Sequence, residues 1–72
     1  MEFKLSAVVS KGEKYFVARG IEIEIASQGN TVEEALGNLK EAFELWLKHA
    51  DPEELKVLNK DAPIVTQIAA AG

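Results

Sequence analysis

The sequence predicts a two-layer α+β domain of order β-β-β-α-β, an antiparallel sheet packed by one long helix. A short extra helix precedes the last strand. Period-two alternation of apolar residues marks residues 2–10 and 21–26, on either side of a turn and an aromatic, β-branched strand. A capped pattern of three- and four-residue steps follows over 31–50, and an apolar segment of strand composition returns after Pro63. No internal repeat or linker divides the chain, so residues 1–72 form one domain.

In "EFKLSAVVS", residues 2–10, Phe3, Leu5, Ala7 and Val9 fall on one face of a first strand. "KGEK" at 11–14 is a turn in which Gly12 is available for positive φ. "YFVAR", 15–19, supplies a second strand of aromatic and β-branched residues. After Gly20, "IEIEIA" alternates most cleanly of all, with Ile21, Ile23 and Ile25 on one side and Glu22 and Glu24 on the other. This predicts a third strand with one buried and one wet face, ended by "SQGN".

Thr31 with Glu34 has capping-box spacing, and Asn30 competes as the cap. From there Val32, Ala35, Leu36, Leu39, Ala42, Phe43, Trp46, Leu47 and Ala50 form one apolar stripe at about 100° per residue, the core face of a helix. Leu45 lies off that stripe, on a flank otherwise polar, and Gly37 sits on the exposed side. Glu44 to Lys48 is a favourable charge pair. Asp51, Pro52 and Glu54 start a second, short helix over "PEELKVLN", which "KDAP" at 60–63 ends. "IVTQIAA" then reads as a final strand able to pair at a sheet edge.

Composition excludes several classes of function. With no cysteine there is neither a disulfide framework nor a thiolate metal site. An apolar share of 47% argues against disorder. No apolar run approaches the roughly 20 residues of a membrane span, and the alternating N-terminus is unlike a signal peptide. A soluble cytoplasmic protein is expected. Twelve acids against eight bases give a net charge of −4, without the Lys/Arg cluster on which nucleic-acid affinity depends. Such a charge serves solubility or attraction to a basic protein.

Candidate chemistry is sparse. His49 has no cysteine or second histidine for a metal and no evident nucleophile to activate; near a helix C-terminus it complements the dipole. Glu22 and Glu24, roughly 7 Å apart on a strand, suit solvated decoration, an acidic patch for a partner, or a weak cation site, in that order. Ser6, Ser10 and Ser27 lack a neighbouring base, "GNTVEEALG" lacks the phosphate-loop lysine, and Phe43 and Trp46 lie on the buried stripe. Neither catalysis nor a cofactor or metal is expected. A small core with free sheet edges favours a homodimer or higher oligomer.

"YFVARG…ASQGNTVEEALGNLKEAFELWL" resembles the HicB-like antitoxin family (its N-terminal domain), also treated as an uncharacterised small-protein family. The resemblance rests on the aromatic strand from Tyr15 to Ala18, the turn Ser27-Gln28-Gly29, Thr31 with Glu33-Glu34-Ala35, and Asn38-Leu39-Lys40-Glu41-Ala42. It covers about half the chain. It implies a partial ribonuclease-H-like β-β-β-α-β fold without catalytic carboxylates. It also implies a non-enzymatic toxin–antitoxin role, in which the domain binds and blocks a small basic HicA-like toxin that cleaves mRNA. The alternative is a stand-alone oligomeric adaptor or ligand-binding domain with no toxin partner.

Under the family reading Ser27, Gln28, Gly29, Thr31, Glu34, Ala35 and Asn38 are structural, while Glu22, Glu24 and Leu45 are offered to a partner. The sequence departs from the family in two places. Where many members carry a Pro-Gly turn between strands two and three, "GIEIEIA" alternates straight through, so the bulge is expected to be smaller or absent. A DNA-binding segment has no place after "PIVTQIAAAG", so direct nucleic-acid binding is not expected.

Overall fold

A computed structural model describes residues 3–59 and 63–72, with the backbone alone at Asn59. The elements run β1 (Ala7–Lys11), β2 (Phe16–Gly20), β3 (Ala26–Gly29), α1 (Val32–His49) and α2 (Pro52–Leu55), then a 3-10 turn (Lys56–Asn59). The α+β class and the three-stranded antiparallel sheet under one long helix are as the sequence predicts. The strands lie in the order β1-β2-β3.

The register pairs Val9 with Ala18 and Ser10 with Val17 across β1 and β2, and Ala18 with Ser27 and Phe16 with Gly29 across β2 and β3. Side chains alternate between faces, so Val9, Phe16 and Ala18 share the face toward α1. Val8, Val17 and Gln28 share the open face. Ala18, Ala35 and Leu39 form the buried centre, with Leu5, Val9, Phe16 and Ile25 packed around it. Phe43 is buried further along α1 and stacks on Trp46, ring centroids 6.3 Å apart. Val32 and Leu36, assigned to the core stripe, are exposed instead. The helix crosses β3 and β2 and scarcely reaches β1, which leaves its N-terminal turns with little beneath that edge of the stripe.

The first hairpin turns through residues 12–15, closed by Gly12 N–H donating to Tyr15 C=O at 2.8 Å, and none of the described glycines uses positive φ. β1 begins at Ala7 rather than residue 2, because β2 ends at Gly20 and offers no ladder beyond it. Residues 1 and 2 lie outside the described residues.

The largest departure is at "IEIEIA". Residues 21–25 form a loop, and the third strand is the following segment, "ASQG". A hairpin needs at least a two-residue connection. "YFVARG" runs directly into "IEIEIA", so Gly20 alone would have to make the turn. The chain instead spends the isoleucine segment on the turn and pairs "ASQG", the predicted breaker, with β2.

α1 starts as its sequence dictates. Thr31 is the N-cap, its Oγ1 accepting from Glu34 N–H at 3.0 Å. The Glu34 carboxylate accepts from Asn30 N–H rather than from the cap's own N–H, so Asn30 contributes its backbone and not a competing side-chain cap. Acidic Glu33 and Glu34 in the first turn and basic Lys48 and His49 in the last complement the helix dipole. Asp51 and Glu54 close a full capping box on α2, with Pro52 at its start. The predicted helix over 52–59 is therefore present as α2 plus the 3-10 turn, with an exposed Glu53–Lys56 ion pair of 3.0 Å between them. Among the described residues this is the ion pair that forms, and Glu44–Lys48 does not.

The last predicted strand does not form. Residues 63–72 have no regular structure, and Ile64 and Ile68 are 92% and 93% exposed. A strand exists only with a neighbour to share its hydrogen bonds, and no strand of the sheet pairs with this segment. The predicted stop at residues 60–62 lies outside the described residues.

Candidate functional site

The β2–β3 loop is the most elaborately fastened irregular segment of the molecule. Gly20 N–H donates to Ile25 C=O at 2.8 Å across its neck, and Ile21 N–H donates to Ser6 C=O at 2.9 Å. Glu22 then takes both donors of Ser6. Its Oε1 accepts from the Ser6 N–H at 2.8 Å, and its Oε2 accepts from the Ser6 hydroxyl at 2.9 Å. Hydrogen bonds to an ionised carboxylate are stronger than neutral ones, so this clamp ties the loop to the residue before β1.

Glu22 and Glu24 consequently part company. The alternation places them on one wet strand face, but with no strand there Glu22 is half-buried on Ser6 while Glu24 stands exposed. Ile21 is exposed, Ile23 buried and Ile25 half-buried. The loop encloses an open concavity of about 510 Å³ lined by residues 19–26, where Arg19 joins the two glutamates. Neither Ser6 nor Arg19 is marked in the sequence as belonging with Glu22. The Ser6–Glu22 pair spans 16 positions and has no local pattern. Among the described residues no group of three or more His, Cys, Asp or Glu side chains could hold a metal ion.

The seven residues read as structural under the resemblance sit where β3 meets α1. Ser27, Gln28 and Gly29 are β3 itself. Gly29 is buried where α1 begins, and a Cβ there would lie 2.5 Å from Ala35 N and 2.8 Å from the Glu34 carbonyl carbon. Thr31 and Glu34 close the helix start, and Ala35 is fully buried against the sheet. Asn38 Nδ2 donates to Gln28 C=O at 2.8 Å, fastening the helix to β3.

The exposed face of α1 carries Glu33, Glu41 and Glu44, with Lys40 and Lys48 among them. Beside them Leu45 is 59% exposed, off the core stripe as the periodicity predicts. His49 is exposed in the last turn. The arrangement offers a helix surface of three glutamates and two lysines beside one large apolar side chain. No helix among the described residues is long and apolar enough to cross a membrane.

No protein-family model matches the sequence, and no solved structure matches it significantly. Among curated proteins, a UPF0150 protein of Helicobacter pylori is 38% identical over 68 residues, covering 93% of this chain and 94% of the relative. Identity of that level over nearly the whole of both chains defines a shared fold and descent: the chain belongs to the UPF0150 family.

Proposed function

We propose that this protein is a non-enzymatic, HicB-like binding module that neutralises a small basic HicA-like mRNA-cleaving toxin by direct contact. The observation that carries the reading is the division of labour along residues 27–45. Ser27, Gln28, Gly29, Thr31, Glu34, Ala35 and Asn38 are taken up in joining β3 to α1, and α1 presents outward Glu33, Glu41, Glu44 and Leu45, with Lys40 and Lys48 among them. An acidic face around an apolar anchor complements a basic protein, the charges steering encounter and the buried anchor supplying affinity. The chain's net charge of −4 has the same sign. Glu22 is held by Ser6, so of the loop pair Glu24 alone stands exposed to a partner.

Co-expression with a small basic protein encoded beside this one tests the reading. Relief of that protein's growth arrest, lost on Glu41→Lys with Leu45→Arg, is expected. The reading fails if no such neighbour is encoded and pull-down recovers no basic ribonuclease. The second reading, a stand-alone adaptor or ligand-binding domain, draws on the concavity over residues 19–26. It predicts a small molecule bound there and no effect of the helix substitutions.

A further inference from the structure

The two edges of the sheet are finished differently. Gly20 donates to Ile25 across the β2–β3 neck, so alternation of the ladder turns the Ala26 and Gln28 backbone groups outward. The Asn38 side chain takes up the outward Gln28 carbonyl, and α1 lies over this side of the sheet. On β1, the bonds of Ser6 to Ile21 and of Gly12 to Tyr15 set the opposite phase, which turns Ala7, Val9 and Lys11 outward. Among the described residues no strand lies beyond β1, and α1 scarcely covers it. An unpaired edge of this kind is a template for another strand.

The chain also carries a segment of strand composition that joins no sheet. From Pro63 to Gly72 there is no charged residue. Ile64, Thr66 and Ile68 alternate with Val65, Gln67 and Ala69, and Ile64, Val65 and Ile68 are 92%, 59% and 93% exposed. The radius of gyration is 13.9 Å, against about 11 Å for a compact chain of this length. The surplus extent accompanies a core in which no large side chain is fully buried.

We infer that residues 63–69 of one copy add as a fourth strand to the β1 edge of a second copy, and that the exchange is reciprocal. β1 has five residues and the segment seven, so the lengths match. With Ile64 and Ile68 turned to the helix side, they cover Leu5 and Val9, which the chain's own helix leaves half-buried. The occupant is the second copy's segment because the single chain leaves its own segment off its own edge. Reciprocal exchange about a two-fold axis closes both free edges and stops at two chains. Two exchanged strands bury on the order of 1,500 Å², the range of a stable interface. The inference stands apart from the basic partner proposed above.

Light scattering on the full chain from about 10 to 500 µM tests it. A dimer is expected, and Ile64→Asp with Ile68→Asp should raise its dissociation constant more than about tenfold. Neither position contributes to the sheet–helix core, so the helical signal in far-ultraviolet circular dichroism should not change. With no native cysteine, a Ser10→Cys chain mixed with a Gln67→Cys chain should join through a short bismaleimide into a mixed dimer. A monomer at the highest concentration overturns the inference, as does a variant that dimerises like the parent. So does a chain carrying both Ser10→Cys and Gln67→Cys that cross-links only within itself.

Discussion

Asn38 Nδ2 donates to the carbonyl oxygen of Gln28 at 2.8 Å, a side chain of the helix standing where another strand would otherwise bond β3. One amide thus performs two tasks, holding α1 in register on the sheet and closing one sheet edge. Asn38→Ala should lower stability by about 0.5–1 kcal/mol, the worth of an exposed neutral hydrogen bond, seen as a lower urea midpoint. It should also speed amide exchange at the start of α1. An unchanged midpoint would mean that the contact holds nothing in solution.

Two glycines should respond in opposite directions to the same substitution. Gly29→Ala drives a methyl group to 2.5 Å from Ala35 N, backbone that cannot withdraw, so a loss of about 2 kcal/mol or more is expected. Gly37 has nothing within 4 Å of an added Cβ and lies in mid-helix, where alanine should gain up to ~1 kcal/mol. Thermal unfolding of the pair reads both signs.

The Glu22–Ser6 clamp predicts a graded series. Ser6→Ala removes the hydroxyl bond and leaves the amide bond, which should cost about 1 kcal/mol. Glu22→Ala removes both and should cost more, with faster hydrogen exchange at the Ser6 and Ile21 amides while the amides of α1 keep their protection. Equal losses in the two variants would contradict the bidentate geometry.

Thr31→Ala should cost about 1 kcal/mol through loss of the bond its hydroxyl accepts from Glu34 N–H. Thr31→Ser retains that oxygen and should recover most of the loss, a comparison that chemical denaturation resolves.

Leu45→Arg should leave the unfolding midpoint within about 0.5 kcal/mol, because the side chain is 59% exposed and makes no core contact. The same change should weaken capture of a basic partner at least about tenfold by calorimetry.

What was legible in the sequence is what short-range chemistry fixes. Thr31, Glu34, Asp51 and Glu54 act within three residues of themselves, and the α1 stripe repeats often enough for Ala35, Leu39 and Phe43 to declare their side. The isoleucine loop was not legible, because "IEIEIA" satisfies strand periodicity while the connection before it is too short. The decisive constraint lay outside the segment. Ser6 and Glu22 meet only once β1 and β2 are paired, so no window of sequence contains both. The segment 63–69 has the composition of a strand, yet its conformation depends on an edge that the single chain does not bring to it.

The stack of Phe43 on Trp46 has a practical consequence. Trp46 is the only tryptophan, half-buried one turn from the end of the long helix, with its ring packed at 23° to its neighbour. Its emission colour and quenching should therefore follow whether that end of the helix is seated, without any attached dye. The molecule carries its own optical gauge of whether its thin core is closed.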